Sequence, residues 1–447
     1  MSNKPRWVHA WALVFGLAAL AVFLIGFRYG GGGDTRPNEL LPVTLLKEGN
    51  LDFNEFVGKD AKLPRNFVRV GDRVVSFVPI VPGLLNVPVH LVALWLGVTA
   101  TPTVLAKWTC TWITATSVAM IYLALLNVCA TWRGAAVMTG LYAFATCTWS
   151  VAANALWQHG PSLLFLNCAL VFLCSPQSRW LPLAGLFLGF AVFNRPTNVV
   201  FALPLTVYVA VHHRDRLLPF ISAMAVPLIA MAIYSHVYWG SVLALGQGQR
   251  WEGTNGTLHT GFQGPLLENL AGLLFSPGRG LFIFSPIFLF SVAGLVWVRT
   301  RAVYPYLAVG ALGHLIVLAK WNIWWGGWSF GYRMLIEMTP ALIIFLALAW
   351  DHLIVRRRLW QPMFWAAATL SVYVHFLGAF FYPSGWNGSP EDVDANPRRV
   401  WQVHDTELSR CQAKLMRGLA KRAPLFLKPV HASTVERNDT VASGSEC

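Results

Sequence analysis

Charge is what this sequence has least of. Only 12% of its 447 residues are Asp, Glu, Lys or Arg, about half the share found in an ordinary soluble domain. By contrast 55% are hydrophobic, and the mean hydropathy is +0.52. A soluble core cannot hide that much apolar surface, so a soluble enzyme is excluded and a polytopic membrane protein is indicated. Internal repeats are not evident, and neither is a Walker-type Gly-rich loop or a soluble nucleotide-binding unit, which excludes a nucleotide-hydrolysing module. Cysteine is sparse. Cys110, Cys129, Cys147, Cys168 and Cys174 lie in apolar stretches without metal-ligand spacing, while Cys411 and Cys447 would form an external disulfide or stay free. The net charge of +14 comes with no base-stacking or groove-reading module, so anionic membrane lipid or envelope polymer fits it better than nucleic acid.

What is present is a series of long apolar runs. The first, Trp7 to Phe27, follows Lys4 and Arg6 and ends in Arg28-Tyr29 without a small-residue cleavage site. It reads as a retained anchor with a cytoplasmic N-terminus. A first external loop, 28–107, follows; its first part is too rich in mixed charge to enter lipid, and its apolar stretch 77–98 carries Pro79, Pro82 and Pro88. That stretch is read as helices lying at the interface and not as a crossing. Further spans are predicted over 108–130, 134–153, 160–174, 181–193, 197–211, 217–239, 281–298, 303–319, 334–355 and 361–382, making eleven with the first.

Basic residues test this parity, because Lys and Arg accumulate in short cytoplasmic loops. The connections assigned to the inside hold Arg133, Arg179, Arg214, Arg216, Arg299, Arg301 and Arg356 to Arg358. The predicted organisation is thus an all-α transmembrane domain over 1–382 with a second long external loop at 240–280. An external polar tail, 383–447, forms a small cap or a loosely ordered extension.

Under this parity the unusual polar motifs fall on one face: Asp34, Trp157-Gln158-His159-Gly160-Pro161, Asn194-Arg195-Pro196, Ser276-Pro277-Gly278-Arg279-Gly280 and the stretch Lys320 to Arg333. Each has a plain structural reading. Asp34, after four glycines and before Pro37, suits a turn or helix cap. Glu39, one turn on, suits a solvated helix face or a shared proton or metal. An isolated arginine at a helix end can snorkel. Arg195, Arg279 and Arg333 together, each beside Pro or Gly, point instead to an anionic ligand such as phosphate, which the guanidinium fork matches. Trp325, Trp328 and Tyr332 surround Gly326-Gly327; an aromatic belt would need no double glycine, so this stretch reads as part of a binding site. His159 would orient an acceptor hydroxyl or serve structurally, and Glu337 stands four residues from Arg333, in register to pair with it.

The order of these features resembles the GT-C type of membrane glycosyltransferase, which includes the protein O-mannosyltransferases and the lipid A aminoarabinose transferases. A first span, a large external loop opening on Asp34, proline-broken interfacial helices and the motifs LWQHGPSLLF, FNRPTN, FSPGRGLFIFSP and WWGGWSFGYR carry the likeness over most of residues 1–382. It is closer to uncharacterised bacterial members. The resemblance implies a bacterial inner-membrane enzyme that moves a hexosyl or pentosyl unit from a polyprenyl-phosphate donor to a hydroxyl of an envelope glycan, lipid or protein. Asp34 would act as base, with inversion at the sugar. Arg333 first, then Arg279 and Arg195, would hold the phosphate, and Glu39, His159, Trp325, Trp328 and Tyr332 would complete the site. Two departures stand out. Gln158-His159 replaces a second acidic residue, and no adjacent acidic pair occurs in the first loop, so a divalent metal is open. The competing class is a transporter or flippase of a lipid-linked or anionic solute, which would show internal repeats and mid-membrane polar residues.

Overall fold

A computed structural model gives the fold and describes residues 5, 7–57, 63, 64, 66–244, 246, 261–300 and 303–426. Cys447, Arg301 and the stretch 247–260 lie outside the described residues, and so does any pairing of Cys447 with Cys411.

In chain order the chain forms α1 (Trp7–Leu24), α2 (Arg36–Glu48), β1 (Phe67–Val70), β2 (Arg73–Ser76), α3 (Val81–Trp95), α4 (Pro102–Val128), α5 (Trp132–Phe144), α6 (Cys147–Ser150), α7 (His159–Leu173), α8 (Leu181–Asn194), α9 (Val199–His212) and α10 (Arg214–Trp239). Then come α11 (Leu266–Phe275), α12 (Leu281–Phe284), α13 (Phe288–Gly294), α14 (Val303–Lys320), α15 (Thr339–Ala349), α16 (Trp360–Phe381) and α17 (Glu407–Phe426). Local chemistry explains the starts. Thr101 accepts from the Val104 N–H ahead of Pro102, and Thr131 accepts from the Gly134 N–H, each satisfying a donor that the first helical turn leaves open. The 27 residues of α4 span about 40 Å, more than the roughly 30 Å of bilayer hydrocarbon.

The chain is a polytopic membrane protein, but the eleven crossings expected from the sequence are not reproduced. Among the described residues six helices are long and apolar enough to cross, or seven if the pair Trp132–Phe144 and Cys147–Asn154, bent by 41°, counts as one span. The discrepancy lies in the short apolar segments. Helices α7, α8 and α9 have 15, 14 and 14 residues, about 21–23 Å each, and fall short of the hydrocarbon thickness. The all-α expectation also needs correcting, since Phe67–Val70 pairs antiparallel with Arg73–Ser76, Phe67 opposite Ser76 and Val70 opposite Arg73. The segment Phe67-Val-Arg-Val-Gly-Asp-Arg-Val-Val-Ser76 carries that signal: β-branched residues flank a Gly71-Asp72 turn.

Helix α15 is the centre of the bundle, with all eleven of its residues buried. Helix α10 lies at the periphery, where Phe220, Pro227, Ser235 and Trp239 alone are buried. It packs against α8 through Gly185 and Gly189, where an added Cβ would come within 2.2 Å of the Phe220 carbonyl and 2.4 Å of the Met224 carbonyl. Small residues four apart let membrane helices approach this closely. At one end of the bundle the Ala130 N–H donates to Asp351 Oδ2 at 2.6 Å, tying the α4–α5 turn to the end of the α15 span. At the opposite end the first loop, the segment 146–159, Asn194 to Asn198 and the loop 321–332 converge.

Candidate functional site

Asp34 sits in a single 3-10 turn, Gly33–Thr35, directly before α2. Glu39 holds that turn in place. Its carboxylate accepts from the Tyr29 hydroxyl at 2.9 Å, the Thr35 hydroxyl at 3.0 Å, Arg36 Nη1 at 3.2 Å and the Thr103 hydroxyl at 3.0 Å, and only 4% of the residue is exposed. Glu39 thus ties the first loop to the start of α4 and has no oxygen left over for a ligand, contrary to its expected substrate contact. Asp34 itself keeps 42% of its side chain exposed.

Arg333 reaches Asp34 from the other side of the site, with Nη1 3.6 Å from Oδ2. The double glycine makes this geometry. Gly326 and Gly327 take φ values of +75° and +64°, which residues with a Cβ rarely adopt, and the turned-back chain brings the Gly326 carbonyl to accept from Arg333 Nη2 at 2.5 Å. The guanidinium lies over the Trp157 ring, 4.2 Å from its centroid. Its Nε is buried and meets no hydrogen-bond acceptor. Trp157 also forms one wall of a small cleft shared with Arg28, Trp328, Phe330 and Tyr382.

The other two arginines are engaged elsewhere. Arg195 Nη1 lies 2.5 Å from Glu337 Oε1, inside a buried cluster in which His159 Nδ1 is 2.7 Å from the same oxygen and His314 Nε2 is 3.7 Å from Oε2. Glu337 therefore pairs with Arg195 and not with Arg333, correcting the pairing read from their spacing, and His159 is buried in this cluster away from solvent. Arg279 is 1% exposed, and all five of its N–H donors are used. Nε donates to the Trp325 carbonyl, Nη1 to the Gly278 carbonyl and Glu407 Oε2, and Nη2 to the Gly327 carbonyl and Asn387 Oδ1, at 2.7 to 3.2 Å. Neither arginine fits the expected phosphate role, because a buried guanidinium must be neutralised and in both cases a buried carboxylate does it.

The aromatic residues divide as well. The Tyr332 hydroxyl is buried between Ser285 Oγ at 2.9 Å and the Cys147 N–H at 3.2 Å, which makes it a brace and not a ligand contact. Trp325 donates to Asp394 at 2.9 Å and Trp328 to Asp392 at 3.1 Å; Trp328 is 48% exposed and Trp325 9%. The tail thus folds over the tryptophan loop as far as α17. Arg399 fastens it, donating to the carbonyls of Trp386, Ser389 and Glu391. Burial pushes the Glu407 carboxyl up to about 7, against the opposing pull of Arg279 and the Gly331 N–H. Arg410 first, then Arg399, hold Asp405 below its ordinary value.

Two buried charged residues near the site escaped the sequence reading. Lys107 is fully buried and donates to the carbonyls of Phe23 and Ala153 and to Asn154 Oδ1 at 2.8 to 3.1 Å, pinning α1 and the segment after α6 to α4. Its signal was a lone charge at the edge of a long apolar run. Glu407, the partner of Arg279, had none, since it stands in a polar tail far along the chain. Among the described residues no group of three or more His, Cys, Asp or Glu side chains is arranged to hold a metal ion.

No protein-family model matches the chain. A comparison with curated proteins gives no match. Solved structures do match. The Archaeoglobus fulgidus oligosaccharyltransferase in the apo form aligns with a TM-score of 0.52 at 13% identity, over 90% of this chain and 60% of that one. The archaeal oligosaccharyltransferase AglB from Archaeoglobus fulgidus, in complex with an inhibitory peptide and a dolichol-phosphate, aligns with a TM-score of 0.53 at 13% identity over the same shares. The chain therefore spans less than two thirds of the length of these proteins. What it shares with them is the fold.

Proposed function

We propose that this chain is a membrane glycosyltransferase that moves a sugar from a polyprenyl-phosphate donor to an acceptor hydroxyl at the extracytoplasmic face. The observation that carries this reading is the Arg333–Asp34 pair: an exposed carboxylate 3.6 Å from a guanidinium whose Nε has no partner. Arg195 and Arg279 are neutralised by Glu337 and Glu407, whereas Arg333 has only the loosely paired, half-exposed Asp34. An anion entering the site would meet positive charge there. The dolichol-phosphate bound in the AglB complex is in keeping with a lipid-phosphate donor here.

In this mechanism Asp34 takes the acceptor O–H proton as the oxygen attacks the anomeric carbon. The bond from that carbon to the phosphate oxygen breaks on the opposite side of the sugar, its electron pair leaves with the lipid phosphate, and the configuration inverts. Arg333, held by the Gly326 carbonyl and the Trp157 face, supplies positive charge to the departing oxygen; the sugar enters between it and Asp34, and their 3.6 Å contact opens to admit it. Asp34 needs only reach to the hydroxyl, and Glu39 keeps the turn that carries it in place.

Mass spectrometry of envelope glycans tests the reading directly. Cells carrying Asp34→Asn at normal protein level should lack the same sugar-bearing species as cells without the protein. Retention of that species by the variant would remove Asp34 as the base.

A further inference from the structure

The helix α17 has a feature that the site does not use. Its apolar positions form one stripe: Leu408, Cys411 and Leu415 pack on the bundle, and the stripe runs on into Met416 and Leu419, which are 54% and 55% exposed. On the opposite side Arg410, Lys414 and Arg417 recur at helical spacing. Arg410 is occupied by Asp405 at 2.6 Å. Lys414 and Arg417 face no carboxylate within ion-pair reach among the described residues.

The position of the helix fits the pattern. Helix α17 packs along α16, and Gln412 accepts from the Tyr373 hydroxyl. On the membrane-spanning α16 the residues Trp365, Leu370 and Tyr373 are 46%, 51% and 37% exposed, which marks that side as lipid-facing. Glu407, at the other end of α17, is fixed to Arg279 in the site. The helix thus starts at the site end of the bundle and runs out over a lipid-facing flank. Partial burial and then the charge of Arg28, at the end of α1, lower the pKa of Lys414, in line with a local excess of positive charge.

We propose that α17 is an interfacial helix that docks on anionic phospholipid in the leaflet at the site end of the bundle, with Met416 and Leu419 in the acyl region and Lys414 and Arg417 on the headgroup phosphates. An amphipathic helix with separated basic and apolar stripes lies in the interface plane, held by apolar burial and by attraction to anionic lipid. A soluble protein partner would not account for a stripe that continues from a lipid-facing flank of the bundle.

Spin labels on the full-length protein in lipid nanodiscs test this. With Cys174 and Cys447 replaced by Ser, the other five cysteines are buried, and labels are placed one at a time through Ala413→Cys on the basic side, Met416→Cys and Leu419→Cys. Collision with oxygen reports the acyl region, and collision with a water-soluble nickel chelate reports solvent. In nanodiscs containing phosphatidylglycerol, labels at 416 and 419 should meet the nickel reagent several-fold less often than the label at 413. Adding Lys414→Glu and Arg417→Glu, or using phosphatidylcholine alone, should move both labels toward water. A control thermal melt must match the unsubstituted protein, so that a loss of docking is not read from unfolding. Equal nickel exposure at all three positions would overturn the docking. Lipid exposure of 416 and 419 that ignores both phosphatidylglycerol and the two charge reversals would overturn the assignment of anionic headgroups.

Discussion

Arg333 Nη1 stands 3.6 Å from Asp34 Oδ2, with the guanidinium laid over Trp157 at 4.2 Å. The contact joins the first loop, the start of the α15 span and the segment before α7. It also sets Arg333 apart from Arg195 and Arg279, whose buried carboxylate partners leave them no comparable freedom.

Asp34→Asn keeps the shape of the turn and removes the base, so transfer from a lipid-linked donor should fall by about 10²- to 10⁴-fold. Arg333→Lys keeps a charge but loses the fork and the flat face that lies on Trp157, and should cost about 10²-fold or more. Rates in proteoliposomes check both. Full activity in either variant would remove that residue from the mechanism.

Glu337→Leu should lower stability by about 3–5 kcal/mol, because it leaves Arg195 buried and unpaired. The double variant Glu337→Leu with Arg195→Met should regain most of that loss, since no isolated charge remains. Thermal unfolding in detergent of the single and double variants checks this. If Arg195 served a ligand instead of Glu337, the double variant would show no recovery.

Gly326→Ala places a Cβ at φ +75° and should cost about 1–2 kcal/mol in backbone strain. The larger effect should be kinetic, because the Gly326 carbonyl that holds Arg333 Nη2 would shift. Melting temperature measured beside transfer rate separates the two effects; a variant that is less stable but transfers at the full rate would show that this carbonyl does not position Arg333.

The tail cap should respond to acid through Asp405. Its pKa is held below the ordinary 3.8, by Arg410 and then by Arg399. A depressed acid contributes stability that is fully present above the unfolded value and is lost as pH falls through the folded one. Protection factors for amide exchange over residues 384–406, which divide out the intrinsic pH dependence of exchange, should therefore fall as the pH drops below about 4. Asp405→Asn should flatten this dependence. The effect should be modest, because 34% of the side chain is exposed and solvent screens the pair. Identical pH profiles for the two proteins would exclude Asp405 as the source.

Much of the arrangement was legible before any coordinates. Low charge and long apolar runs required a membrane, because apolar area of that extent has no other place to go. The glycines at 326 and 327 marked a place of close backbone approach, and the structure holds both in left-handed conformations, with the Gly326 carbonyl accepting from Arg333. The count of eleven crossings is not confirmed, because apolar composition does not separate a full span from a short apolar helix; α7, α8 and α9 have 15, 14 and 14 residues, too few to cross about 30 Å of hydrocarbon alone. The hairpin at 67–76 was missed because its charged alternate positions were read only as polar loop.

The sequence by itself determined the solvent in which this chain folds, the residues that can carry charge into the site and the glycine turn beside them. Only the tertiary structure decided which arginine lacks a buried carboxylate partner. A buried guanidinium costs too much to leave alone, so its role depends on whether a carboxylate is delivered to it. Glu337 reaches Arg195 and Glu407 reaches Arg279 from positions whose spacing reveals nothing of the contact. Arg333 receives only the half-exposed carboxylate of Asp34.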